Sequence, residues 1–314
     1  MQQRPFKQVD VFTATPYFGN PLAVVLDGSG LDDAAMQRFA RWTNLSETTF
    51  VLPPTQSTAD YRLRIFTPGG ELPFAGHPTL GSCHAWLEAG GQPKSKEFIV
   101  QECAKGLIQI RRDAGSAGLA FGAPSLLRSA PDPALLAQVA SALGITAVHI
   151  TAAQLLDNGP VWLGLLLDSP ETVLQLLPNH QELANLDVKV GVAGIYAPPL
   201  LPLLPLIARA NREAKAFVQE QPAVPPGLQA NTEANLEVRA FAACIGINED
   251  PVTGSLNASL AQWLIADGLM AEHYTASQGV CMGRAGLVDL QRDAQDQVWV
   301  GGQSVTCIDG RVAL

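Results

Sequence analysis

The chain reads as an α+β protein of two similar lobes, each a curled mixed or antiparallel β-sheet wrapped around a central helix. Three observations predict this. The first is a repeated pattern. Residues 69–90 (GGELPFAGHPTLGSCHAWLEAG) open with a Gly-Gly turn, pass through a Gly-His-Pro-Thr corner and continue as a helix that stops at glycine. Residues 249–268 (EDPVTGSLNASLAQWLIADG) have the same form: acidic residues, a proline, a Thr-Gly-Ser corner, then a helix ending in glycine. Both helices carry Trp-Leu near their ends (Trp86-Leu87 and Trp263-Leu264), and strand-like segments, residues 64–68 and 239–243, precede the corners. Four matched features about one domain length apart indicate duplication. The second observation is rhythm. The early strands are short and spaced like hairpins, which opposes a doubly wound dinucleotide fold. The third is size, because 314 residues exceed a usual single core and favour two domains.

Taken in order, residues 8–13 (QVDVFT) alternate like a strand, and residues 16–21 (PYFGNP) form a turn-rich connection. Residues 22–26 (LAVVL) are a continuous apolar run, as in a strand buried on both faces. Asp32 or Asp33 caps a helix with Met36, Phe39 and Trp42 at helical spacing. Residues 48–52 and 61–66 are strands, the second sharply alternating, and residues 98–100 and 107–111 add two more after the corner helix. Residues 115–128, rich in Gly, Ala, Ser and Pro, are the expected crossover. The expected lobes are thus residues 1–116 and 117–303, with a last strand near 304–314 returning to the first. In the second lobe, residues 132–143 and 170–177 read as helices and residues 161–167 and 188–196 as strands. Residues 204–219 read as an amphipathic helix and 221–231 as a proline-containing loop. Residues 237–244, 280–290, 298–300 and 305–308 are the remaining expected strands.

Composition narrows the function. Hydrophobic residues make up 47% of the chain and charged ones 16%, as in a well-buried globular protein. The net charge of −9 and the absence of a Lys/Arg cluster argue against a nucleic-acid partner. The start lacks the apolar core of a secretory signal, and the most hydrophobic run, residues 196–210, is broken by prolines and too short for a bilayer. Five dispersed cysteines without a CxxC pair fit buried thiols in a reducing compartment. The expectation is a cytoplasmic protein without membrane association.

Glu47, among Asn44, Leu45, Ser46, Thr48 and Thr49, lies where a helix hands over to a strand. A carboxyl group partly removed from water there has a raised pKa and suits acid and base work near neutral pH. Taken alone, a turn glutamate is more often exposed. Gly76 lets backbone approach a ligand, and His77 beside it faces whatever the corner holds. Pro78 suits a first helical turn, so the expected free donors are the N–H groups of Thr79, Leu80 and Gly81, which favour an anion. Thr253, Gly254 and Ser255 make a second such helix start, and Asp250 precedes it before Pro251. His84, His149, His180 and His273 read as structural or surface residues. No HxH, HExxH or carboxylate–histidine spacing suggests a metal, and no glycine-rich stretch has nucleotide-binding form.

Six segments in this order, VDVFTATPYFGNPLAVV, NLSETTFV, FAGHPTLGSCHAWLEAG, EDPVTGSLNASLAQWL, QGVCMGRAG and VGGQSV, resemble the PhzF-like family of phenazine biosynthesis over nearly the whole length. The resemblance implies the diaminopimelate epimerase-like fold with the active site in the cleft between the lobes. It further implies an isomerase without metal or organic cofactor, acting on a small carboxylic acid, and a homodimer. By the same resemblance the glutamate of the N-L-S-E-T segment, Glu47, shuttles a proton between carbons. His77 and Asp250 hold polar groups of the substrate, and Thr253, Gly254 and Ser255 bind its carboxylate. Two departures stand out. Neither corner has the cysteine of the epimerase relatives, and Leu256-Asn257 follow Ser255 where small residues or histidine are common. The altered residues are expected to line the second half of the cleft. An alternative of another class is a small-acid binding protein that keeps the cleft without turnover.

Overall fold

The computed structural model describes residues 2–112, 118–196 and 234–314. The expected lobe boundary at 116/117, the helix at 204–219 and the loop at 221–231 lie outside the described residues. Among the described residues, eighteen strands form one continuous, strongly curled sheet with few helices.

The first half runs β1 (Gln3–Val11), β2 (Asn20–Val25), α1 (Asp33–Thr43), β3 (Glu47–Leu52), β4 (Tyr61–Phe66), β5 (Glu71–Leu72), α2 (Gly76–Glu88), β6 (Phe98–Cys103), β7 (Gly106–Arg112) and β8 (Leu119–Gly122). The second half begins with β9 (Leu127–Ser129) and α3 (Pro133–Ala142). It continues with β10 (Ile150–Asp157), β11 (Val161–Leu167), α4 (Pro170–Gln175), α5 (His180–Asn185), β12 (Lys189–Ile195), β13 (Leu236–Ala242) and β14 (Ile247–Asp250). It closes with α6 (Gly254–Ala266), β15 (His273–Gln278), β16 (Gly286–Arg292), β17 (Val298–Gly302) and β18 (Ser304–Ala313).

One pairing sequence occurs twice. Along β1-β2-β3-β4-β6-β7-β8 the successive pairs are antiparallel, parallel, antiparallel, parallel, antiparallel, antiparallel. Along β10-β11-β12-β13-β15-β16-β17 the order is the same. Short β5 and β14 hairpin onto β4 and β13 at equivalent points. The halves join where β8 pairs with β17, and the strand that follows each of these closes an outer edge, β18 onto β1 and β9 onto β10.

Each half buries one helix inside the curl and packs others outside. Leu80, Cys83 and Ala85 of α2 share a core with Val9, Val11, Leu22, Leu63, Ile65 and Phe121, and α6 contributes Leu256, Leu260, Trp263 and Leu264 to the same core. Met36, Phe39 and Ala40 of α1 pack on the outer face with Val25, Phe50 and Phe66. On the other half α3, α4 and α5 cover Leu163, Leu165, Val190 and Val192. Strands with a helix on each face need apolar residues on both, which explains the unbroken runs of β2 and β11. Asp32 caps α1 by accepting the Ala35 N–H. Trp42, at the same helical spacing, is nevertheless exposed.

The sequence reading missed the short helix α5 and the strands β5, β8, β9, β10, β14 and β15, with β8 and most of β9 inside the expected crossover, and it joined residues 280–290 into one strand. In fact a 3-10 turn at Val280–Met282 precedes β16. In β15 the buried positions are Tyr274, Ala276, Ser277 and Gln278, so small and polar side chains hide the apolar alternation. Long-range pairing with β13 and β16 makes this segment a strand.

Candidate active site

The two inner helices begin against one another at the join between the halves. A Cβ added to Gly254 would lie 3.2 Å from Gly76 Cα and 3.3 Å from the His77 nitrogen. One on Gly76 would lie 2.7 Å from Phe121 Cζ. Only glycine permits this approach. Neither Ala75 nor Thr253, the residues before the two helices, caps its helix with a side chain. By helix geometry the N–H groups of Gly76 and His77, and those of Gly254, Ser255 and Leu256, have no intrahelical acceptor. This corrects the expectation for Thr79, whose N–H bonds the Ala75 carbonyl inside the helix, because α2 starts two residues earlier than Pro78 suggested.

A cavity of about 1020 Å³ opens beside these helix starts. Its lining includes Glu47, Gly76, His77, Asp250, Thr253, Gly254 and Ser255, so the structure brings all the expected site residues together. Leu256 and Asn257 do not line it. Both are fully buried, and Asn257 donates to Thr253 O and Gln278 Oε1. The expectation that they shape the cleft is therefore wrong, because the helix turns them toward the core. No cysteine lines the cavity either.

Glu47 opens β3, and its carboxyl group is buried. Burial pushes it up to about 8, the charge of Asp250 adds to the rise, and Lys189 opposes it. His77 is buried with no compensating anion bond and falls to about 3, so its imidazole is neutral. Its Nδ1 lies 3.4 Å from the Asn20 amide nitrogen, a donor, which leaves the ring proton on Nε2. Nε2 approaches Glu47 Oε2 at 3.3 Å, though the alignment is not that of a hydrogen bond, and neither atom has another partner. Two buried polar atoms left this way are open to a ligand.

Asp250, at the end of β14, accepts from Asn20 Nδ2 (3.0 Å) and from the Thr253 hydroxyl (2.6 Å). Burial nevertheless lifts it to about 6, those two bonds opposing and Glu249 adding to the rise. Gln278 ties the corner together: Nε2 donates to Asp250 O and Thr253 Oγ1, and Oε1 accepts from Thr253 N. Ser255 Oγ accepts from Trp162 Nε1 at 3.2 Å.

Asn20, Gln278 and Lys189 escaped sequence reading. Asn20 stood in a turn-like PYFGNP, and Gln278 in a polar strand without alternation. Lys189 had a findable signal, since Asn-Leu precedes both it (Asn185-Leu186) and Glu47 (Asn44-Leu45) at a helix-to-strand handover. Among the described residues no group of three His, Cys, Asp or Glu side chains is arranged to hold a metal ion. None of the described helices is long and apolar enough to cross a membrane.

Comparison with known proteins gives the family and the fold. The profile of the phenazine biosynthesis-like proteins (PhzC-PhzF) matches residues 9–310. The chain belongs to this family, one of isomerases. It is 33% identical to antisense-enhancing sequence 1 of Schizosaccharomyces pombe, over 99% of each chain. It is 30% identical to trans-2,3-dihydro-3-hydroxyanthranilate isomerase of Pseudomonas fluorescens, over 98% of each. A PhzF-family protein of Bacillus anthracis shares the fold at a TM-score of 0.79 with 20% identity, covering all of both chains. A probable proline racemase of Agrobacterium radiobacter matches at 0.62 with 12% identity, covering 99% of this chain and 93% of that one. These likenesses place the chain in the epimerase-like fold.

Proposed function

We propose that this protein moves a proton between two carbons of a small unsaturated or cyclic carboxylic acid, with Glu47 as the single acid and base. The observation that supports it most is the shared cavity. A buried carboxyl group raised to about 8 sits beside a neutral imidazole, a buried aspartate and two abutting helix starts. The amides of Gly76, His77, Gly254 and Ser255 receive the substrate carboxylate, where helix ends favour negative charge. That carboxylate, or an adjoining double bond, acidifies a neighbouring carbon. Glu47 in its ionised form takes the proton, becomes neutral, and delivers a proton to a second carbon, exchanging it with solvent in a share of turnovers. The gain from this transfer is about 10²–10⁴-fold, and positioning and fixed polar groups supply the rest.

His77 Nε2–H and the Thr253–Asp250 pair hold the substrate's other polar groups. Side chains and the backbone amides of the two helix starts provide every acid, base and donor this route requires, so the reading includes no cofactor. It also takes the enzyme as a cytoplasmic homodimer, as the family resemblance suggests. The alternative of a binding protein without turnover draws on the altered second corner, of which Leu256 and Asn257 sit in the core while Ala242 and Ile245 line the cavity.

A panel of small acids incubated in D₂O tests the proposal, headed by the compound named in the relatives, trans-2,3-dihydro-3-hydroxyanthranilate. Wild-type protein is expected to place deuterium on carbon of at least one acid, read by NMR or mass. Glu47→Gln should remain folded by circular dichroism and lose about 10²–10⁴-fold of that rate. Undiminished exchange in Glu47→Gln would take Glu47 out of the mechanism. Ligand-dependent stabilisation with no exchange in any acid would favour the binding protein.

A further inference from the structure

Glu47 has a structural counterpart in the other half. It is the first residue of β3, level with Leu22 where β2 and β3 begin their parallel ladder. In the repeated pairing sequence β11 and β12 correspond to β2 and β3. The first residue of β12 is Lys189, level with Trp162 at the start of that parallel ladder. Both first residues line the same cavity. The duplicated scaffold therefore points a carboxyl group in from one half and an ammonium group in from the other.

Lys189 is half-buried and, among the described residues, has no ion pair or hydrogen bond. Its ammonium lies over the Trp162 ring, 5.9 Å from the ring centre. The ladder register explains that contact, because parallel partners stand side by side on one face. Trp162 is itself fixed by its bond to Ser255 Oγ. Asn158 sits beside it in the lining, nearly fully buried, with Nδ2 donating to Ser255 O and Oδ1 lacking a partner. The other basic residue in the lining, Lys105, is exposed. The lining carboxylates are already engaged elsewhere or needed for the chemistry. Glu71 is paired with Arg64, Asp250 accepts from Asn20 and Thr253, and Glu47 is the proton carrier. A cation without an ion-pair partner in a cavity wall, over an aromatic face and sharing the lining with an unpartnered amide oxygen, is matched by an anion from the ligand.

We propose that Lys189 is a specificity-determining residue that pairs with a second acidic group of the substrate, so that the preferred substrates are small diacids. This rests on the placement of the first carboxylate at the two helix starts. The second acid group lies toward the β11–β12 wall, with a hydroxyl or amino donor of the ligand meeting Asn158 Oδ1. Lys189 binds and does not transfer the proton.

Binding of unreactive planar acids tests this apart from turnover. Benzoate, benzene-1,3-dicarboxylate and benzene-1,4-dicarboxylate are titrated calorimetrically into Glu47→Gln protein, where the charge at position 47 no longer varies. At least one diacid should bind about tenfold more tightly than benzoate, as for one charge-assisted contact, and the advantage should shrink with added salt. Adding Lys189→Gln should abolish the advantage and leave benzoate within about twofold, and Lys189→Arg should retain it. Diacids binding no better than benzoate, or an equal loss for all three acids in Lys189→Gln, would overturn the Lys189 assignment alone. Failure of all three acids to bind Glu47→Gln would overturn it together with the carboxylate site at the helix starts.

Discussion

The two corners use one local device with different consequences. In the first half Arg64 of β4 grips Glu71 of β5 with two bonds of 2.7 and 2.6 Å and lies over the Phe66 ring at 5.0 Å. In the second, Arg239 of β13 grips Glu249 of β14 with two bonds of 2.9 Å and lies over Phe241 at 5.1 Å. The remaining donors diverge. Arg64 reaches an exposed Asp33 on α1, and Arg239 reaches the Val173 and Leu176 carbonyls in the interior. Glu71 stands partly in water with 37% of its side chain exposed, against 11% for Glu249. The sequence Arg-x-Phe followed by a glutamate thus makes the same clamp twice, and its surroundings set the energy. The buried clamp fixes the residue next to Glu249, which is Asp250. The exposed clamp holds a hairpin whose helix delivers a neutral histidine.

Breaking the buried clamp should have the largest effect. Arg239→Met leaves Glu249 without its partner in the interior, and stability should fall by about 3–5 kcal/mol in urea unfolding. A loss below about 1 kcal/mol would show that the two clamps are energetically alike. The contact between the helix starts is next. Gly254→Ala places a methyl group against Gly76 and His77 and should cost on the order of 10² in kcat/KM, since small displacements of the donors are felt strongly. Its melting temperature should move little, alanine being a better helix former than glycine. Equal losses of stability and activity would mean that the junction is only packing.

Electrostatics between the halves give a smaller, directional effect. Glu47 must be ionised to accept a proton, so kcat/KM should rise with pH through its pKa near 8. Asp250 raises that value, and Asp250→Asn should move the acid limb to lower pH; a limb that stays put would remove the coupling. The same group affects stability. Glu47 keeps its proton in the folded chain above the ordinary value of 4.5, so its contribution is complete below that pH and is lost as pH rises through about 8. Wild-type protein should therefore lose more stability than Glu47→Gln between about pH 6.5 and 8, a comparison in which the other titrating groups are common to both proteins. The exposed clamp should matter least. Arg64→Met should cost no more than about 1 kcal/mol, the usual range for ion pairs in contact with water.

Much of this architecture was legible in the residues themselves. The doubled corners, the apolar runs of β2 and β11 and the helix cap at Asp32 are local patterns, so they name their elements without a partner. Glu47, His77 and Asp250 could be singled out by type and by the company of glycine and proline. Asn20 and Gln278 could not, and Lys189 only through the Asn-Leu it shares with Glu47, because their roles come from neighbours more than 20 residues away in the chain. Asn20 acts on Asp250, and Lys189 on Trp162.

The sequence by itself determined the two inner helices, many of the strands, and that two such sets exist, because periodicity and turn chemistry act over a few residues. Tertiary structure alone decided that the two glycine starts touch, that Leu256 and Asn257 face inward, and that a carboxyl group and an ammonium group enter one cavity from equivalent strands. Those outcomes depend on desolvation and on distances between residues far apart in the chain. No stretch of amino acids encodes them locally.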